Sequence, residues 1–145
     1  MKASRLYKIA GVLLFVWAAG NTYGLWNFWR VAGPMAPVHF PWGHAPFSYA
    51  QVVLGYQVFC SLCVLFAAYL TWHLGTLARE TPQAIGAVGW LLFAYLLAGV
   101  YISWIFFSGF VLIFSAVIAI CVGLASGLAT AESKAQPVGN ERALA

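Results

Sequence analysis

The sequence predicts an all-α fold: four transmembrane helices in one bundle, both termini cytoplasmic. Three observations carry that prediction. Hydrophobic residues make up 63% of the 145 and charged residues only 7%, where a soluble domain carries about 25% charged residues. The apolar sequence falls into stretches of span length separated by short breaks. Lys2, Arg5, Lys8, Arg79, Lys134 and Arg142 all fall on the inner side of such a topology, and Arg30 alone falls outside, the asymmetry expected of cytoplasmic loops. A water-soluble fold is excluded, because too few polar side chains exist to cover its surface.

A bilayer core of roughly 30 Å is crossed by about 20 apolar helical residues. The first span is placed at 9–29, ending in Trp26, Trp29 and Arg30, an interfacial anchor. A cleaved signal peptide is the competing reading, with a basic start, an apolar core and "AAGN" at 18–21. The apolar and aromatic run continues past that point, which favours a retained span.

Residues 31–47 form a Pro/Gly-rich connector. In "FSYAQV" Ser48 is a good N-cap and Gln51 follows at the capping-box spacing. The second span is therefore placed at 49–73. "LARETPQ" is the next break, with Thr81 as the cap and Pro82 in the first helical turn, where its missing N–H costs nothing. Residues 83–130 hold no charge and are too long for one span at about 1.5 Å per residue. They divide into spans at 83–107 and 109–130, with the turn near Ser108-Gly109. A single membrane domain covers 1–130. The polar tail, 131–145, is expected to be disordered.

Several side chains are candidates for chemistry. His39 and His44 sit in "HFPWGHAPFSYAQ" and could ligate one metal, or, beside Trp42, belong to an interfacial loop with their rings among headgroups. A zinc site needs three or four protein ligands, the chain has no Asp, and all three Glu lie on the predicted inner side, so no metal is assigned. His73, at the inner end of the second span, is not expected to join them. Haem held by paired histidines is not supported, and no cofactor is expected. Cys60 and Cys63 have the C-x-x-C spacing of thiol oxidoreductases. They fall mid-span without a basic neighbour, and a reactive thiolate needs a group that lowers its pKa. Cys121 is the only other cysteine.

Within the spans the polar residues are uncharged: Asn21, Thr22, Asn27, Gln51, Gln57, Ser61 and Ser103. No proton relay through carboxylates can be built from them. The amides either bond between helices or line a small ligand pocket, with Asn21 and Gln57 the candidates. Gly20 and Gly24 form one small-residue seam. Ser115, Ala119, Gly123 and Gly127 form another at intervals of four, a face that allows close helix approach within the chain or with another subunit. No basic stripe with interleaved aromatics is present, so nucleic acid is not an expected partner.

The segments "VHF", "FSY", "WHLGTLAR", "PQAIGAVGW" and "FSAVIAICVG" together resemble a family of small bacterial four-helix membrane proteins with no assigned activity. Similarity to DoxX-like proteins is architectural only. The resemblance implies a bacterial inner membrane and the four-helix fold. It places His39, His73 and Arg79 within family motifs without giving them roles; with His44, Asn21 and Gln57 they are the candidate ligand-binding residues.

Two function classes follow. The first is a non-enzymatic integral membrane protein, an accessory or interaction subunit or a binder of lipid or another apolar ligand between helices. Its partners would be membrane lipid, another membrane subunit or a second copy. The alternative is a membrane-embedded oxidoreductase using Cys60 and Cys63, or a histidine-bound metal or haem, with a quinone.

Overall fold

A computed structural model of the chain describes residues 2–31, 39–40, 47–81, 84–107 and 109–135. Four helices run in chain order: α1 Ala3–Val31, α2 Tyr49–Glu80, α3 Gly86–Phe106 and α4 Gly109–Ala135. Each is long and apolar enough to cross a membrane. The fold class is the predicted one, and the make-up is that of a multi-pass integral membrane protein. Large apolar side chains point outward on all four helices, among them Val16, Phe66, Leu91, Trp104, Phe106 and Phe110. Water would not tolerate so much contiguous exposed apolar surface; lipid does.

The helix ends depart from the expectations in four places. α1 begins at Ala3 rather than at residue 9, because its polar first turns find partners: the Ser4 hydroxyl donates to the Gly75 carbonyl at 2.6 Å. α2 continues past His73 to Glu80; Leu77, Ala78 and Arg79 are good helix formers, and a cation in the last turn suits the helix dipole. α3 starts at Gly86, not at residue 83, and Ile85 rather than Thr81 occupies its N-cap position with no side-chain cap bond. Gly86 takes a φ of +32°, a backbone state that glycine adopts without steric cost. Pro82 and Gln83 lie outside the described residues. α4 continues through Ala135, into the segment expected to be disordered; Ala131, Glu132, Lys134 and Ala135 have high helix propensity and extend the helix. The rest of the expected tail lies outside the described residues.

The connector also holds a feature the sequence reading did not include. β1 (His39–Phe40) pairs antiparallel with β2 (Phe47–Ser48), His39 opposite Ser48 and Phe40 opposite Phe47. The hairpin delivers the chain into α2 through a reciprocal cap. The Ser48 N–H donates to Gln51 Oε1 at 2.9 Å, and the Gln51 N–H reaches Ser48 Oγ at 3.3 Å. Between α3 and α4 the chain turns sharply. Phe107 is extended (φ −127°, ψ 152°), its N–H donates to the Ser103 carbonyl, and α4 opens at Gly109; Ser108 lies outside the described residues.

The chain divides into two compact units. One comprises residues 1–13 and 67–145, so it draws on all four helices; the other comprises 14–66, from α1, α2 and the hairpin. The core of the first unit contains Tyr7, Thr71, Ile85, Ile118, Val122 and Ser126, all fully buried. In the second, Asn21 Nδ2 donates to Ser61 Oγ at 2.8 Å, tying α1 to α2.

Candidate functional site

The first unit is built around close helix approaches. On α1, a Cβ added to Gly11 would lie 3.3 Å from the Trp72 backbone nitrogen. On α2, one added to Gly75 would lie 3.0 Å from Lys8 Cγ and 3.3 Å from the Lys8 backbone nitrogen. Glycine on each side lets the two backbones meet where any side chain would hold them apart. The stem of Lys8 lies along Gly75, and its ammonium sits 5.6 Å from the centroid of the Trp72 ring, within the range of a cation–π contact.

Tyr7 reaches from α1 to α4, where its hydroxyl lies 2.8 Å from Ser126 Oγ. Ser126 spends its own proton on the Val122 carbonyl at 2.9 Å, so Tyr7 is the donor in the pair. Gly89 of α3 closes over this bond. A Cβ there would stand 2.5 Å from Tyr7 Oη and 3.0 Å from Ser126 Oγ. Three helices therefore meet at one buried hydrogen bond. One turn away, Trp90 Nε1 donates to Thr130 Oγ1 at 3.3 Å, and Thr130 donates to the Ser126 carbonyl at 2.8 Å.

Beside this junction, α3 and α4 flank an open groove of about 320 Å³, with Leu97, Ile120 and Leu124 exposed on it. Phe93, Leu97 and Val100 form the α3 side; Ala116, Ala119, Ile120, Gly123 and Leu124 form the α4 side. At about 1.5 Å per residue the lining extends roughly 10–12 Å along the helices. Every lining residue is apolar. Phe93 closes one end by lying on Gly123, where a Cβ would come 2.6 Å from Phe93 Cε2. The ring is held edge-on to Trp90, with centroids 5.9 Å apart and an interplanar angle of 76°.

The residues singled out from sequence distribute as follows. Asn21 and Gln57 lie along one α1–α2 seam of the second unit. Asn21 bonds Ser61, and a Cβ on Gly24 would lie 3.8 Å from Gln57 Nε2. His73 and Arg79 belong to the first unit and are exposed on the last turns of α2. The His73 ring stacks on Tyr69 at 6.2 Å and 8°. His39 stands on β1, but its side chain and the whole of His44 lie outside the described residues. Cys60 and Cys63 are free and half-buried one turn apart on α2, and Cys121 is free and half-buried on α4. Among the described residues, no three of His, Cys, Asp and Glu gather where they could hold a metal ion.

Each seam has one glycine with a neighbour, Gly24 or Gly123, and one that is open. Ser115 and Ala119 are buried, and Ser115 donates to the Leu112 carbonyl at 2.9 Å. Gly123 carries Phe93, whereas Gly127 and Gly20 have nothing within 4 Å of an added Cβ.

Sequence reasoning passed over Tyr7, Gly89, Gly11, Gly75 and the α3–α4 groove. Tyr7 was hidden between Arg5 and Lys8, outside the expected span. Gly89 carried a signal in "GAVGW", two glycines one turn apart near the start of a span. Comparison of the chain with protein-family models, with curated proteins and with solved structures finds no match.

Proposed function

We propose that the chain is a non-enzymatic protein of the bacterial cytoplasmic membrane that holds an apolar ligand, a lipid acyl chain or a molecule of like character, in the α3–α4 groove. The observation that carries this reading is the groove itself. Its volume of about 320 Å³ lies within the range of small-molecule sites, roughly 300–1,000 Å³. Its lining offers neither a charge nor a hydrogen bond to a ligand. A floor of Ala116, Ala119 and Gly123 between bulkier walls suits a narrow, linear, apolar occupant. The bias of basic residues supports placing both termini on the cytoplasmic side, which an even number of crossings permits.

The test is the native mass of the full chain, extracted in mild detergent from its own membrane, beside an Ala116→Leu variant that fills the groove from its floor. The expected result is an apolar adduct on the wild type that the variant loses. A wild-type chain without an adduct, or an adduct that survives the substitution undiminished, overturns the groove as the site.

A second reading, an interaction subunit, draws on one further observation. Gly20 faces open space, with nothing among the described residues within 4 Å of an added Cβ, so a Gly20→Leu side chain would start without a clash at its Cβ. A loss of assembly in that variant, with the spans still inserted, would identify a contact with another subunit or a second copy. An unchanged native mass would remove the α1 seam from consideration.

A further inference from the structure

We propose that the cytoplasmic-end surface of α1 and α2 in the first unit carries a site for the phosphate of an anionic phospholipid, formed by Lys8, Thr76 and Arg79 above Trp72. This proposal does not rest on the α3–α4 groove.

Tyr69, Trp72, Thr76 and Arg79 follow one another at intervals of three, four and three. On a helix of 3.6 residues per turn that spacing is one stripe. Tyr69 and Trp72 are exposed, Thr76 is half-buried and Arg79 is exposed. The stripe therefore passes from aromatic to hydroxyl to cation within about 15 Å along the axis. That is the polarity profile of a lipid crossing from its acyl region to its headgroup, with tryptophan and tyrosine at the boundary.

Lys8 adds a second cation from α1. Its stem is pressed against Gly75 and its ammonium is held over Trp72, so it stands on the same side of the helix pair as the stripe. A larger residue at position 75 would displace it. The Lys8 charge is thus positioned by packing rather than left to wander, which lowers the entropy cost of engaging a ligand.

Thr76, like Ser61 of α2 and Ser103 of α3, lacks the local bond that most hydroxyls within the helices make, and it alone of these three stands beside Arg79. Thr22, Thr71, Thr130, Ser115 and Ser126 each donate their hydroxyl to a carbonyl of the preceding turn. Among the described residues Thr76 makes no such bond, and its donor remains available to a phosphate oxygen. Neither Lys8 nor Arg79 is paired with a carboxylate among the described residues; Glu80, next to Arg79, is turned about 100° around the helix. Two cations and one free hydroxyl on an aromatic base match a singly charged phosphodiester better than a zwitterionic headgroup, whose own ammonium would meet Lys8 and Arg79. The apolar surface at Tyr69 and Trp72 assigns the phosphate to a lipid rather than to a free ion.

The full chain in mild detergent is titrated with phosphatidylglycerol and with phosphatidylcholine, and bound lipid is counted by native mass spectrometry. Wild type is expected to retain phosphatidylglycerol in preference. Arg79→Gln and Lys8→Met, which keep the side-chain stems, should each weaken that retention about fivefold, the effect of one cation near a membrane surface. Thr76→Val should weaken it less, and Lys2→Gln, at the exposed start of the chain, should leave it within twofold. Equal retention of the two lipids overturns the proposal. So does a loss in Lys2→Gln as large as in Arg79→Gln, which would mean diffuse attraction rather than a site. A third arm adds inorganic phosphate: if it displaces phosphatidylglycerol at equal concentration, the site holds an ion and the lipid assignment fails.

Discussion

Replacing Gly89 by alanine tests whether the Tyr7–Ser126 bond is what locks α1, α3 and α4 together. The new methyl would stand 2.5 Å from Tyr7 Oη, where ordinary contact begins at 3.4 Å. The hydroxyl must retreat by about 0.9 Å, the difference of those distances. A retreat directed away from Ser126 would stretch the 2.8 Å bond to the limit of hydrogen-bonding range, and Ile85 Cγ2, 2.9 Å from the same methyl, is crowded as well. Overpacking of this kind costs about 1–3 kcal/mol, and an interhelical hydrogen bond in a membrane protein contributes about 0.6 kcal/mol. Against these stands the helix propensity gained on removing glycine, about 0.8–1.0 kcal/mol. The net expectation is a loss of roughly 1–3 kcal/mol. Tyr7→Phe alone should cost only about 0.6 kcal/mol, because Ser126 keeps its bond to Val122 and no donor is stranded. The double variant is decisive. Removing the hydroxyl removes the nearest clash, so Tyr7→Phe with Gly89→Ala should be more stable than the two losses added together. The assay is reversible unfolding in mixed micelles, read as a double-mutant cycle. Additive losses would refute the reasoning, since they would place the cost of Gly89→Ala at Ile85 or in the α3 backbone.

Other substitutions separate the remaining contacts. Gly75→Ala should destabilise the first unit by up to about 2 kcal/mol, the overpacking cost less the helix propensity regained, because it meets backbone as well as the Lys8 stem; thermal unfolding in detergent reads this, and a midpoint raised by the propensity gain would contradict the close approach. Gly123→Ala should displace the Phe93 ring and alter the near-ultraviolet circular dichroism of the Trp90–Phe93 pair, whereas Gly127→Ala, with open space around it, should leave that spectrum intact. Ser48→Ala removes the cap of α2 and should cost about 0.5–2 kcal/mol, seen as faster amide exchange in the first turn of α2. Cys60→Ala with Cys63→Ala should leave lipid retention and stability nearly unchanged; a loss of a cellular phenotype in that double variant would revive the thiol reading.

The four helices were legible because apolar stretches of span length are long, strong signals. Their ends were not, because hydropathy marks where a side chain prefers lipid rather than where the backbone stops being helical. Ser4, Arg5, Lys8, Arg79 and Glu132 all lie within helices that continue past the apolar windows. The Ser48–Gln51 cap was readable because its chemistry is local, three residues apart. The hairpin at His39–Phe40 and Phe47–Ser48 was not, since two-residue strands leave no periodicity to detect. Among the glycines, regular spacing was a poor guide. Gly20 and Gly24, and Gly123 and Gly127, stand out as i, i+4 pairs, yet a Cβ added at Gly20 or Gly127 would meet nothing within 4 Å among the described residues. The tightest interhelical approaches between backbones use Gly11 and Gly75, which stand on different helices and form no repeat within either. A contact between two helices needs one small residue from each, and that pairing is invisible until the register of the helices is known.

Hydroxyls fit within these apolar helices because most of them are satisfied locally. A polar group in hydrocarbon must find a partner, and Thr22, Thr71, Thr130, Ser115 and Ser126 each find one in the carbonyl of the preceding turn. Those bonds are local and leave nothing to offer a ligand. Tyr7, Trp90 and Asn21 spend their donors across helices instead, on Ser126, Thr130 and Ser61. Among the groups that stay uncommitted, the Thr76 hydroxyl, Arg79 and a Lys8 ammonium held only by an aromatic face gather toward the end of the first unit where α2 finishes. Part of the interior polarity of the spans holds helices in register, through Ser4, Tyr7, Asn21 and Trp90, and part is spent within single helices. The capacity to recognise something polar is left at that end, and the capacity to hold something apolar in the α3–α4 groove. A chain arranged this way suits an amphiphilic partner at two separate places, and the two lipid experiments are independent for that reason: filling the groove with Ala116→Leu should not alter phosphatidylglycerol retention at Lys8 and Arg79, and Arg79→Gln should not alter the apolar adduct.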